Sequence, residues 1–414
     1  MFVEISSSEA IQTRKQLELG RHFCFLDSSM RNPTAGRYSI IAANPVEVVT
    51  GSVNDQDSFE RVFAHYRLSS APEVPFPLGA AIGYVTYEGN YWFGFYPSLL
   101  ILDHLLDKNW VVRADRLDLT SSYAPRQSGS GVVEALRDSC SESAFIEKVL
   151  RAQEYIAAGD IYQVNLSHQL SCGWEGDLKA LYQSLREISP SHYSAFIDGN
   201  GEQILSSSPE LFLRISGRHA VTRPIKGTRP RFRDPIRDEQ SAYELIRSEK
   251  DLAELVMITD LERNDLGKIC EYGSVHTTDL VRLEKYAHVF HLVSTIEGTL
   301  REGLGHFKAM TEMFPGGSIT GAPKIRAMEI IRELEQRPRG VYTGCLGYLG
   351  FNDESCLNIA IRSMVCRDNE ISFGIGAGVT IESNAALEYQ ETMHKACGML
   401  YALNGMGIRS TTKA

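Results

Sequence analysis

Two acidic pairs share one spacing. Asp251 and Glu254 lie three apart in ELIRSEKDLAELVMITDLERNDLG, and Glu388 and Glu391 repeat that step in NAALEYQETMHKACGMLYAL, with Lys395 four residues beyond Glu391. On a helix, residues three and four apart project from one face. Two such helices could hold a divalent cation between them, and all-oxygen ligation with open positions suits Mg2+. The same spacing also describes two solvated helix faces, so spacing alone leaves both readings open. PIKGTRPR, from Pro224 to Arg231, raises a parallel question: Lys226 stands between an isoleucine and a glycine, in a run that also carries Arg223, Arg229, Arg231 and Arg233. A solvated basic loop, a polyanion patch and a site lysine all fit it.

Glycines mark two further stretches. In FGIGAGVTI, Gly374, Gly376 and Gly378 alternate along a strand pattern. Glycine weakens a strand, so it signals a bulge, tight packing, or close approach of a ligand to exposed backbone N–H groups. The spacing is not that of the GxGxxG fingerprint. FPGGSITGAPKIRAMEIIREL runs a Gly-Gly pair, Ser318 and a TGAP turn into a helical pattern, and a helix N-terminus can receive an anion. It does not match GxxxxGK[ST], and Lys324 either reaches a ligand or sits in solvent. Cys345, in TGCLG, lacks the first glycine of a GxCxG elbow. His288 and His291 belong to no HExxH or Cys/His zinc pattern. Composition and spacing together support a metal-assisted enzyme acting on a small anion.

These groups need elements to hold them. Residues 1 to about 120 read as a strand-rich segment, with YSIIAA and GAAIGYVTY as strands. The Ser/Gly-rich SSYAPRQSGSG, 121–131, opens a linker reaching residue 142, before a catalytic domain over 143–409. In that domain SAFIEKVLRAQEYIAAGD predicts a helix capped by Ser143, and IYQVNLSHQL alternates as a half-buried strand. ILSSSPELFLRI and ESCLNIAIRSMVC each read as one strand, and DEQSAYELIRSEKDLAELVMITDLERNDLG as one long helix. Strands joined by short connections and mixed with helices imply an α+β arrangement. The 414 residues suffice for a sizeable core, and a net charge of −10 (42 basic, 52 acidic) excludes a general nucleic-acid binder. Eight scattered cysteines without CxxC pairs, no signal pattern and no run of 18 apolar residues imply a soluble, cytoplasmic protein with no membrane span.

Ten stretches in one order carry a resemblance: DIYQVNLS, SSPELF, PIKGTRPR, ELVMITDLERNDLG, HLVSTIEG, FPGGSITGAPKIRAMEIIRELE, GYLGF, NIAIRSM, GAGVTIES and EYQETMHKA. Together they resemble the chorismate-utilising enzymes, a family including anthranilate, aminodeoxychorismate, isochorismate and salicylate synthases. The likeness covers nearly the whole chain and is densest from about 145 to 404. It implies an α+β fold of the anthranilate-synthase-component-I type, antiparallel sheets forming a sandwich flanked by helices. It also implies Mg2+ held by Glu254 and Glu391 against the C1 carboxylate of chorismate, with Asp251 and Glu388 as their outer partners. Asp251 stands where glutamate is expected, which suits a water-bridged role. Tyr342, Arg362, the backbone of Ala377 and Gly378, and Lys395 match positions that bind substrate carboxylates, while Gly227, Thr228 and Ser318 line the pocket. His291 matches a histidine near the departing C4 hydroxyl and Glu210 a carboxylate used for proton transfer.

Lysine at 226 marks the aminodeoxychorismate branch of that family, whereas anthranilate synthases resemble this run with alanine (PIAGT); Asn165 points the same way. The implied product is 4-amino-4-deoxychorismate for 4-aminobenzoate and folate synthesis, with Lys226 as nucleophile at C2. The alternative is conversion of chorismate to anthranilate plus pyruvate. An attacking amine must be neutral, so burial or a nearby Mg2+ is expected to lower its pKa. Without a GxCxG elbow, ammonia is expected from a separate glutamine amidotransferase subunit. Two family elements depart from pattern: NPSPY appears as Ser189-Pro-Ser-His-Tyr193 and Leu-Leu-Glu-Ser as Phe25-Leu-Asp-Ser28. Both contribute to a tryptophan pocket in relatives, so tryptophan control is not expected.

Overall fold

Alternation of apolar residues turns the hairpin of Ala80–Val85 and Asn90–Tyr96 into a two-faced ribbon. Phe93 and Phe95 face one way, against helices, while Trp92 and Tyr96 face the other, against a second sheet. That layering holds throughout the computed structural model, which describes residues 2–30, 35–112, 132–134, 136–286 and 289–405. The expected linker stretch 121–131 and His288 lie outside them.

Among the described residues the strands form a 13-stranded and a 10-stranded sheet from antiparallel pairs. The N-terminal segment contributes to both: Cys24–Asp27 pairs with Tyr193–Gly199, and Ala80–Val85 with Cys345–Gly350. Ile40, Ile101, Ile197 and Ile204 meet Ile82, Trp92 and Leu346 between the sheets. Helices Asp57–Tyr66, Glu249–Ile269 and His306–Met313 cover the outer face of the smaller sheet, where Phe59 stacks on Phe307 at 3.8 Å. Helices Leu178–Ile188 and Ala385–Gly405 cover the larger one. Each such aromatic or aliphatic side chain contributes about 1.5–3 kcal/mol by leaving water. The result is an α+β sandwich flanked by helices.

The sequence expectations fail at three breaks, each with a physical cause. ILSSSPELFLRI is two strands, Glu202–Ser208 in the larger sheet and Leu211–Ser216 in the smaller. Pro209 has no N–H to continue a ladder, and the chain changes sheets there. ESCLNIAIRSMVC divides likewise into Glu354–Ile359 and Ser363–Arg367, around Arg362 with φ of +50°. The long helix is two, Pro235–Ile246 and Glu249–Ile269, because Ser248 recaps the second by accepting from Asp251 N at 3.3 Å. A smaller difference is a helix N-cap at Ser141 instead of Ser143; the strand from Gln163 alternates as expected, with Val164 and Leu166 buried against Lys324–Glu335 and Glu142–Ala157 while Asn165 and Gln169 are half-buried.

Candidate active site

The two sheet-changing breaks touch. Ile359 N donates to Glu210 O at 3.0 Å, Ser208 Oγ to Ile359 O at 2.5 Å, and Ser207 N to Arg362 O at 3.0 Å. Glu210 and Arg362 thus emerge side by side from backbone that can continue neither sheet. Beside them runs the strand Ile225–Pro230, paired to Val289–Thr299 with a register slip between Lys226 and Thr228. Bulges of this kind re-aim side chains. Gly227, at φ +67°, absorbs the slip, and a Cβ there would meet Leu245 Cδ1 at 2.8 Å and Asp251 Cβ at 3.1 Å. Only glycine lets the carboxylate-bearing helix come this close. Lys226 points inward: its Nζ donates to Ser318 O at 3.4 Å, and a Cβ on Gly378 would lie 4.0 Å from it.

The glycine strand Glu370–Val379 answers those readings differently along its length. At Gly374 a Cβ would overlap the ring of Tyr342, and at Gly376 it would lie 2.9 Å from the Tyr342 Oη. That is tight packing. Gly378 instead faces Gln163 and Lys226. Ala377 is fully buried between them and pairs with Leu166. Lys395 Nζ donates to Gly376 O at 3.1 Å and pairs with Glu391 at 2.7 Å, tying the last helix to this strand.

The acidic pairs do come together across two helices, Asp251 and Glu254 on one, Glu388 and Glu391 on the other. Among the described residues no three acidic, histidine or cysteine side chains close around one point. Cations pair with them instead: Arg229 with Asp251 at 3.1 Å, Lys395 with Glu391, and Lys250, between the two helices, 3.6 Å from Glu388 Oε1 and 4.0 Å from Glu254 Oε1. Burial raises the Glu254 carboxyl above its usual range, opposed by Lys226 and Lys250. At Glu391 burial also acts upward, but Lys395, Lys250 and Lys226 outweigh it and the net shift is down. Glu388 keeps Oε2 buried without a partner, while Oε1 accepts from Ser383 at 2.7 Å. Hard oxygen donors with one acceptor left over fit a hard divalent cation.

His291 is buried and neutral. Burial, then the Arg362 charge, push its pKa down to about 3. Its Nδ1 lies 3.1 Å from Gly227 O and 3.0 Å from Thr228 Oγ1, which assigns the proton to Nδ1 and leaves Nε2 an acceptor without a partner. Glu210 is buried too, and desolvation raises its pKa; the Ser318 hydroxyl, which makes no well-formed hydrogen bond, and Lys226 partly offset this. Among the described residues nine buried side-chain atoms have no partner, and five of them belong here: Gln163 Oε1, Asn165 Oδ1, His291 Nε2, Ser318 Oγ and Glu388 Oε2. Buried polar groups are normally satisfied, so this concentration marks where a polar ligand belongs.

Sequence reasoning missed the supports. Arg339 and Glu335 form a buried pair whose guanidinium also donates to Ile319 O (3.0 Å), Asn165 O (2.7 Å) and Thr343 Oγ1 (3.3 Å). It braces the turns beside Ser318 and Tyr342, yet sits in an irregular stretch without periodicity. Lys250 was legible only as an i,i+4 partner of Glu254. Lys324 is neither ligand-facing nor solvated: it is buried on Met313 O, Pro315 O and Asp265. The departing elements around Ser28 and His192 line a different cavity, of about 420 Å³, between the sheets. There Asp27 is held by Arg186 at 2.7 Å.

This fold and pocket define a family. A model described as chorismate binding enzyme matches residues 27–401, and the chain belongs to that family. Within it, the chain is a chorismate-utilising enzyme of the anthranilate or aminodeoxychorismate synthase component I type. It is 33% identical over 444 aligned positions to aminodeoxychorismate synthase component 1 of Bacillus subtilis, spanning 95% of this chain and 94% of that one. It is 37% identical over 382 positions to anthranilate synthase component 1 of Thermus thermophilus, spanning 83% and 81%. Among solved structures, anthranilate synthase component I from Streptococcus pneumoniae superposes with a TM-score of 0.77 at 29% identity, covering 89% of this chain and 93% of that one.

Proposed function

We propose that this protein is the chorismate-aminating component of an aminodeoxychorismate synthase, forming 4-amino-4-deoxychorismate. The observation that carries this reading is Lys226, whose amine projects into the pocket between Ser318 O and Gly378. Its ε-amine adds at C2 of the ring. The C1–C2 double bond shifts to C1–C6, that of C5–C6 to C4–C5, and the C4 hydroxyl departs. Ammonia then adds at C4, the double bonds return, and the lysine amine leaves C2. Two conjugate displacements preserve the face that a single backside attack would invert.

Glu210 supplies the proton to the departing hydroxyl, which its raised pKa favours. The His291 Nε2 lone pair orients that hydroxyl before it leaves. Arg362 and the Gly378 backbone bind substrate carboxylates, and Tyr342, packed on the glycine strand, fixes that wall. Glu254 and Glu391, supported by Glu388 and Asp251, would hold Mg2+, which when bound polarises the ring carboxylate as charge develops. Ammonia comes from a separate glutamine amidotransferase subunit, as the words "component 1" imply for the Bacillus subtilis relative. Among the described residues no helix is long and apolar enough to cross a membrane.

Anthranilate formation is the second reading, favoured by the 37% identity to the Thermus enzyme. Mass spectrometry of products from chorismate, Mg2+ and ammonium separates the two. An aminated product that keeps the enolpyruvyl group, lost in Lys226→Ala, is expected. Anthranilate plus pyruvate from the wild type refutes the amination reading.

A further inference from the structure

We propose that Lys250 is a built-in counter-cation of the carboxylate cluster, which a divalent cation must displace to bind. This rests on the reading of Glu254, Glu391, Glu388 and Asp251 as cation ligands. Lys250 precedes Asp251 on the helix Glu249–Ile269, yet its Nζ approaches Glu388 on the last helix as well as Glu254 on its own, at 3.6 and 4.0 Å. The other two cations within ion-pair distance of these carboxylates do not span the helices in this way. Arg229 reaches Asp251 from a neighbouring strand, and Lys395 pairs with Glu391 within the last helix. Lys250 therefore occupies the gap that a cation shared between the helices would enter.

The fit is incomplete in a telling way. Glu388 is 4% exposed; its Oε1 accepts from Ser383 and lies 3.6 Å from the ammonium, while its Oε2 finds no donor, so the ammonium leaves half of that carboxylate unsatisfied. A divalent ion brings twice the charge to roughly 2.1 Å from its oxygens, and Coulomb attraction grows with charge and closeness. Lys250 can yield: its side chain is 47% exposed, and a flexible four-carbon stem lets the ammonium return to water. The ammonium thus keeps like charges together while no metal is bound, and it weakens metal binding by an amount that its removal would reveal.

Mn2+ binding to chorismate-free protein, read from loss of the free-ion EPR signal, tests this without turnover. Lys250→Met is expected to bind about tenfold more tightly than wild type at one site per chain, and Lys250→Arg about as wild type. Equal or weaker binding by Lys250→Met overturns the proposal. Glu254→Gln and Glu391→Gln, placed in the Lys250→Met background, test the underlying reading separately. If they weaken Mn2+ binding while Lys250→Met gains nothing over wild type, the carboxylate site stands and only the lysine's role falls. If they leave binding unchanged, or neither parent binds Mn2+, the cation site itself is refuted.

Discussion

Glu262 offers a measurable consequence of building the pocket on a helix with a buried acidic residue. It accepts a hydrogen bond from Thr222 at 2.6 Å and packs beneath the Gly317–Ser318 turn. Burial, with Glu210 and Asp265 nearby, pushes its pKa up to about 8, against the opposing pull of Thr222 and Lys324. The unfolded chain releases that proton near pH 4.5. Between those values the folded state binds more protons than the unfolded one. Stability from this group is therefore full below pH 4.5 and is lost as pH rises through 8. At about 1.4 kcal/mol per pH unit, the loss is roughly 2 kcal/mol at pH 6 and levels near 5 above pH 8, as an upper bound. Glu262→Gln keeps the shape and the hydrogen bond but has no proton to lose. Urea unfolding at pH 6 and pH 9 should show the variant gaining on wild type by about 3 kcal/mol between the two. An advantage that is the same at both pH values would refute a protonated Glu262.

Other consequences follow from particular contacts. Arg339→Met leaves Glu335 buried and unpaired and should cost about 3–5 kcal/mol by denaturant unfolding, much of it recovered by adding Glu335→Leu. Gly374→Ala drives a Cβ into the buried Tyr342 ring and should destabilise the fold by about 1–3 kcal/mol. Gly378→Ala displaces Gln163, whose Nε2 would collide with the new Cβ; chorismate turnover should fall at least about tenfold while the unfolding midpoint changes little. His291, held near pKa 3, should show no NMR titration of Nε2 between pH 5 and 8, and an inflection near 6.5 would contradict its assignment as a neutral acceptor. Its folded pKa lies below that of an unfolded histidine, so stability falls as pH drops from 6.5 toward 3.

Local patterns were legible wherever the cause is local. The three-residue steps of Asp251 and Glu254, and of Glu388 and Glu391, sit on helices as their spacing required, and GAAIGYVTY forms a strand. Ordered motifs were enough to select the family. The sequence misled where periodicity continues across a change of partner. ILSSSPELFLRI and ESCLNIAIRSMVC each begin and end in strand-like residues, so Pro209 and Arg362 read as interruptions within one strand and not as crossings between two. Only the tertiary structure shows that the chain crosses between sheets there, which brings Glu210 beside Arg362.

The distinction has a physical basis. Residue type and short-range spacing determine what a side chain can do: Lys226 can be a nucleophile, a carboxylate can hold a cation, and glycine admits a close neighbour. Whether it does so depends on groups distant in sequence that share its desolvated surroundings. Burial and then Arg362 keep His291 neutral, Lys250 bridges two helices far apart in sequence, and Arg339 clamps Asn165, Ile319 and Thr343 from one buried position. Desolvation and Coulomb energy depend on distance in space, and no sequence pattern encodes that distance until the chain has folded.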